Sequence, residues 1–357
     1  MVADPGALTP SVVLRRGVFH VAYFHEQRSA GDEPSGVFYA SNQGGTWHKE
    51  RVSTGGDLYT RPSLVVDLDA VPHIAFTRTC FECTPFESNI WLASNATGTW
   101  DLDQLTDGKE DLAASLALGA YDLPTLGFPP PGSRQDLFVA WNRPGRGIFL
   151  GWRLAGGAWQ VERAITTIGR CATLGTSPSI AMSGDGVPWL AYEQPRPNTT
   201  NCNPATRGIR VARPTEAGWQ ATTLTTNVDD SHPKLALGPS GRPHLIFHRS
   251  GVGIQYTRIR ADDSWEPPTF AVDGNDATVT IDADRKAHVA YEGIGPGYAT
   301  NRSGAWVATP LAGYDLDAGT DSPVSIVLTN TGKARVVFGR TQAATEDDLG
   351  LFVAREH

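Results

Sequence analysis

Histidines, glutamates and arginines recur beside hydrophobic runs of strand length, and their types define a short set of chemistries. His232 and His248 stand with Asp229 and Asp230 close by. A neutral imidazole near a carboxylate can serve as a general base, and two imidazoles can bind a divalent metal. Glu193 and Glu292, with Tyr59, offer an acid, a base or an activated nucleophile, as glycosidic cleavage requires on opposite sides of the bond. A lyase would instead use a His or Tyr base and an arginine that neutralises a uronate. Arg78, Arg143, Arg249 and Arg340 share one position, two residues past an aromatic, and His25 holds that position in the first copy. Forked guanidinium donors in a ring suit a carboxylate or sulfate, with Arg61 and Asp230 as further contacts. The alternative is a repeated surface in which each arginine pairs with an aspartate of a neighbouring loop.

Those positions are equivalent because the chain is a repeat. The runs FHVAY, PHIAF, LFVAW, PWLAY, PHLIF, AHVAY and ARVVF end at Tyr23, Phe76, Trp141, Tyr192, Phe247, Tyr291 and Phe338. Six of the seven copies are followed by a small residue and a tryptophan, at Trp47, Trp100, Trp159, Trp219, Trp265 and Trp306. Four short strands per copy, at a period of about 40–50 residues, predict a β-propeller. The expected fold is all-β: one domain over 1–357, a seven-bladed β-propeller of four-stranded antiparallel blades. The inner strands are expected after Pro10, Pro62, Pro124, Pro178, Pro233, Ala277 and Val324. In the third copy the segment ASLALG, within an insertion from Asp107 to Leu123, is an alternative. The last copy ends after its third strand. Either Val2 and Ala3 close it from the N-terminus, or the final blade is three-stranded.

In such a ring the loops that lead into the inner strands and those that follow the second strands gather at one end. That end collects the residues named above, together with Asp57, Asp122, Asp276 and Asp321 from the leading loops. His20, His73, His244 and His288 recur at one second-strand position and read as structural, each bonded to a neighbouring turn.

The Gly-x-Trp turns resemble degenerate Asp-boxes of the bacterial neuraminidase repeat. Ala40 to Trp47 (ASNQGGTW) fits best, with Asn42 in place of Asp; ASNATGTW (Ala93–Trp100) and TNRSGAW (Thr300–Trp306) are weaker. The resemblance implies a sialidase-like propeller superfamily that includes glycosidases, polysaccharide lyases and pure binding proteins. In it the boxes are structural and lie opposite the active end. Sialidases proper carry an Arg-Ile-Pro motif; here Tyr59-Thr60-Arg61-Pro62 sets Arg one place too close to Pro, and the repeats number seven rather than six. The chain is therefore not expected to be a sialidase proper.

Net charge is −8 with 19 % charged residues, and no run of Lys and Arg suggests nucleic-acid binding. No apolar stretch approaches the roughly 18–20 residues of a membrane helix. Cys80, Cys83, Cys171 and Cys202 all fall on the reactive end. Cys171 suits a disulfide with Cys202, and Cys80 with Cys83; disulfides favour an extracytoplasmic protein. The start, MVADPGALTP, lacks the regions of a signal peptide, so a secreted or periplasmic protein would have lost its leader. The expected partner is a carbohydrate, met by a glycosidase or lyase acting on acidic glycans. The alternatives are a lectin or adhesion module without catalysis, and a metal-dependent hydrolase of small esters using His232 and His248. No cofactor is expected beyond that possible metal.

Overall fold

Each PHIAF-type run folds as the second strand of a four-stranded antiparallel sheet, and seven such sheets follow one another along the chain. The computed structural model describes residues 2–4, 6–27, 31–53, 61–80, 87–107, 110–119, 136–153, 157–166, 176–183, 186–194, 208–311, 324–340 and 350–355. Among them the strands are joined by turns, with a single 3₁₀ turn at Gln43–Gly45 and no α-helix.

A sheet of this kind has two apolar faces, because both sides of its inner strands meet a neighbouring blade, while the outer strands, such as Asp101–Gln104 and Val307–Pro310, are exposed. The core is accordingly divided into seven clusters, one between each pair of adjacent blades. Tyr23, Phe76, Trp141 and Phe247, the aromatics of the repeated run, are all below 2 % exposed. Each contributes about 1.5–3 kcal/mol by leaving water. The six landmark tryptophans each pack on the cluster between their own blade and the preceding one. The cluster between the sixth and seventh blades has no tryptophan. A groove of about 680 Å³, lined by Leu311, Phe338 and Phe352, lies there instead.

The turns before the tryptophans are tied by side chains. Asn42 Oδ1 accepts the Phe19 amide at 2.7 Å, and Asn301 Oδ1 accepts that of Ala287 at 2.8 Å. Gly45, Gly98 and Gly304 adopt φ of 88°, 86° and 96°, which an L side chain resists.

The ring closes from the N-terminus. The seventh blade supplies three strands, Ser325–Leu328, Ala334–Arg340 and Gly350–Arg355; Val2–Ala3 is added as the fourth, Val2 opposite Leu351 and Ala3 opposite Gly350. Asp4 secures this short strand. It accepts Tyr23 OH at 2.8 Å and His25 Nδ1 at 2.5 Å, with Lys49 Nζ at 3.5 Å.

One expectation requires correction. The inner strand of the third blade is Leu112–Gly119, paired with Asp136–Arg143, rather than a strand after Pro124. Asp111, not Asp122, therefore leads into that strand; Asp122 lies outside the described residues.

Inner strands are joined by a column of hydroxyls facing the channel. Ser11 Oγ accepts the Leu64 amide at 3.1 Å, Ser63 that of Leu116 at 2.9 Å, and Ser115 that of Ile180 at 3.2 Å. Ser179 accepts Leu235 N–H at 3.0 Å, Ser325 accepts Val12 N–H at 3.1 Å, and Thr278 donates to the Val324 carbonyl at 3.2 Å. These residues stand opposite Ala22, Ala75, Ala140, Ala191, Val337 and Ala290 of the second strands. In the fifth blade the same position, opposite Ile246, is Lys234.

Candidate ligand site at the channel mouth

A cavity of about 600 Å³ opens on the axis, and all seven inner strands contribute to its wall. Four of these strands bulge where they enter the mouth. At the bulges Thr9, Ala113, Ser177 and His232 take φ of 49°, 57°, 51° and 51°. A bulge re-aims the side chain it carries. Because the bend recurs in four blades it belongs to the architecture, and what distinguishes the fifth blade is the imidazole placed on it.

The polar groups concentrate where the fourth, fifth and sixth blades meet. Glu193 Oε2 accepts the His232 amide at 3.0 Å, tying the end of one second strand to the next inner strand. His248 lies opposite Ser231, whose Oγ is 3.5 Å from its Nδ1. Burial lowers the His248 pKa, and a charge on His232 would lower it further, against the pull of Asp276 and Asp230. Glu292 is half-buried opposite Asp276. Arg61 leads into the second blade, yet its Nη1 donates to Asp276 Oδ2 of the sixth blade at 2.6 Å, so its side chain spans the channel mouth. Lys234 lines the same cavity and is half-buried. Burial depresses its pKa and Arg61 acts in the same direction, while Asp276 and Glu193 oppose.

Three of the four ring arginines are engaged rather than free donors. Arg143 Nε and Nη2 donate to Asp111, each at 2.7 Å, and Trp141 Nε1 donates to the same carboxylate at 3.1 Å. Arg249 makes the equivalent fork to Asp230, at 2.7 and 3.0 Å. Each pair joins the end of a second strand to the aspartate that leads into the inner strand of the same blade, as the alternative reading of the repeat expects. Arg78 stacks on Trp91, its guanidinium carbon 5.2 Å from the ring centre. Arg340 ends its strand opposite Gly350, and its side chain lies outside the described residues.

His25 has no ring nitrogen free for a ligand. It is 4 % exposed, and both ring nitrogens are engaged, Nδ1 by Asp4 and Nε2 by the Glu33 carbonyl at 2.9 Å. Burial alone would lower its pKa; the hydrogen bond and charge of Asp4 outweigh burial and raise it. Asp4, His25 and Glu33 form the three-donor cluster found among the described residues, and the Lys49 ammonium already sits against both carboxylates, at 3.5 and 2.7 Å. No such cluster includes His232 and His248 among the described residues.

The recurrent histidines are structural. His244 and His288 Nδ1 pair with Tyr256 and Tyr298 OH, each at 2.6 Å, and His20 pairs with Tyr39 in the same way. His73 reaches Ser94 at 2.8 Å and Asp67 at 3.4 Å. Burial pushes His20 and His244 down to about 4.

Tyr59, Cys83, Cys171 and Cys202 lie outside the described residues, as do Asp57 and Asp321. Sequence reading missed Asp111, Asp4 and Lys234. The first was legible in a repeat: Asp111 to Gly119 reads DLAASLALG, and Asp230 to Gly238 reads DSHPKLALG. Aligning these two segments also puts Lys234 in the column of channel serines.

No known protein family matches the chain, and no curated protein matches it. Solved structures match its fold. A variant of the lectin of Aleuria aurantia, in complex with alpha-methyl-L-fucoside, is 11 % identical with a TM-score of 0.53, over 88 % of this chain and 97 % of that one. A protein of unknown function from Dyadobacter fermentans is 14 % identical, TM-score 0.52, over 85 % and 93 %. NanB bound to Optactamide is 9 % identical, TM-score 0.53, over 98 % of this chain and 67 % of that one. The class these likenesses define, with the sheet order, is the β-propeller. The Aleuria lectin is described as six-bladed, one blade fewer than here.

Proposed function

We propose that the channel mouth is the site of a secreted glycan-active protein, in which the seven blades act as one domain and an acidic carbohydrate binds over Lys234 and Arg61. The observation that carries this reading is the break in the hydroxyl column. A cation replaces a structural serine inside a cavity of about 600 Å³, a size that suits a small-molecule ligand. Arg61 can exchange its Asp276 partner for a ligand carboxylate, since its side chain is 50 % exposed and such bridges are held by only about 0.2–1 kcal/mol. Glu193, Glu292, His232 and His248 are the groups available to move protons in cleavage by a glycosidase or lyase, with Tyr59 as a further candidate. Arg143 and Arg249 hold the rim in shape and do not contact the ligand. That Asp-box-like turns and lectin folds recur among the resemblances supports the carbohydrate class.

A second reading, a lectin without catalysis, is supported by the engagement of the acids themselves: Asp276 is held by Arg61 and Glu193 by the His232 amide. An array of acidic and neutral oligosaccharides with product detection separates the two. Binding of uronate- or sialate-bearing glycans that is lost in Lys234→Ser supports the site. New reducing ends or unsaturated products identify an enzyme, and binding without products identifies a lectin. Binding of neutral glycans alone, unchanged in that variant, refutes the site. Cys80 is disulfide-bonded, which supports an extracytoplasmic location, and its partner in this reading is Cys83. Mass mapping of the non-reduced protein tests both pairs.

A further inference from the structure

Six of the seven channel-facing positions carry a hydroxyl that links adjacent blades, and the seventh is Lys234. Stability gives no reason for a lysine there. It forfeits the link between the fifth and sixth blades and holds an amine where burial disfavours its charge. Nζ makes no hydrogen bond among the described residues. Arg61, Asp276 and Glu193 act on it electrostatically, and His232 sits two residues earlier on the same strand and lines the same cavity. An amine that lines a cavity, half-buried and next to a guanidinium, has a raised share of its neutral, nucleophilic form.

We infer that Lys234 forms an imine with a carbonyl compound that also carries a carboxylate, such as a 2-oxo acid or the open-chain form of an acidic sugar. The inference rests on the reading of the mouth as a ligand site. The Nζ lone pair bonds to the carbonyl carbon, the C=O pair moves to oxygen, and the proton lost by nitrogen ends on that oxygen. The carbinolamine then expels water as C=N forms, with no change of oxidation state. Asp276 and Glu193 are the groups beside the amine able to carry the proton. Arg61 offers its fork to the carboxylate across the channel.

The test is reductive trapping on the full chain, with glyoxylate as the probe, propionaldehyde as its neutral counterpart and cyanoborohydride as reductant, followed by peptide mass mapping. The chain has only five lysines, so each is resolved. The expected result is a carboxymethyl group on Lys234 ahead of Lys49, Lys109, Lys286 and Lys333. Glyoxylate should label Lys234 about tenfold faster than propionaldehyde, and Arg61→Ala should remove that preference. Lys234→Ser, which restores the repeat's own hydroxyl, and Lys234→Arg should abolish the adduct while melting as folded proteins. Equal labelling of all lysines overturns the inference, as does an unlabelled Lys234. Binding of acidic oligosaccharides, measured on the same samples, keeps the two readings separable. Binding without an adduct sinks the imine alone, and an adduct without binding sinks the glycan reading alone.

Discussion

Replacing Asp111 with Asn or Arg143 with Leu probes whether the rim arginines serve the fold or the ligand. Asp111 is fully buried and receives three hydrogen bonds, two from Arg143 and one from Trp141, while the Arg143 side chain is 27 % exposed. Breaking a buried pair from one side costs about 3–5 kcal/mol, because the other charge stays behind. The two sides differ here. Asp111→Asn leaves a cation that water already reaches, so the loss should lie near about 2–3 kcal/mol. Arg143→Leu strands a carboxylate with no access to water and should cost the full range. Unfolding entropy of about 2.1 cal/mol/K per residue over 357 residues makes each kcal/mol worth about 1.3 °C in Tm. The expected falls are then about 3–4 °C for Asp111→Asn and about 4–7 °C for Arg143→Leu. The double variant should melt above Arg143→Leu alone, since neither charge remains. Calorimetry of the four proteins closes the cycle. Additive losses, or a smaller loss for Arg143→Leu than for Asp111→Asn, would refute the reasoning. Loss of acidic-glycan binding in a folded Arg143→Leu would return that arginine to the ligand site.

Two further expectations concern pH. His244 is held near a pKa of about 4 by burial, so the folded state resists a proton that the unfolded chain accepts below about 6.5. Stability should fall as pH drops from about 6.5 to 4, and His244→Gln should flatten that slope by up to about 3 kcal/mol in denaturant titrations; an unchanged slope contradicts the assignment. His25 has the opposite sign: its raised pKa means its contribution is full below about 6.5 and fades as pH rises through the folded value. The Tm difference between the native chain and His25→Asn should therefore shrink on the alkaline side, and a difference that grows there would exclude the Asp4 pairing. Deleting residues 1–4 removes both the closing strand and Asp4, and should open the seventh blade to faster amide exchange across Gly350–Arg355.

The blade count and the strand order were legible because a repeat states its period many times over. Closure by Val2 and Ala3 was left open, since a two-residue strand has no pattern of its own. The misplaced inner strand of the third blade came from trusting Pro124 over the DLAASLALG segment, which matches DSHPKLALG in the fifth blade. The pairing of rim arginines with entry-loop aspartates was legible as an alternative, and Asp230 was among the aspartates named, whereas Asp111 was not. Asp111 and Asp230 fill one column, whereas Asp4 reaches its equivalent place from the closing strand and is out of register with both. Lys234 escaped notice for a different reason. Attention to residues that recur hides the one that departs from the column, and a departure without structural benefit is where function is expected to show.

Lys234→Ser puts that argument at risk. A serine at 234 should accept the amide of Val279, the residue equivalent to Leu64, Leu116, Ile180 and Leu235 in the other links. The gain is one buried hydrogen bond, about 1 kcal/mol, plus removal of a half-buried amine. Tm should rise by about 1–2 °C while affinity for acidic ligands falls. A lysine kept for packing or for a hidden ion pair predicts the reverse, a lower Tm on its removal. Calorimetry of this one variant therefore decides whether position 234 was given up by the fold to make a site, or belongs to the fold after all.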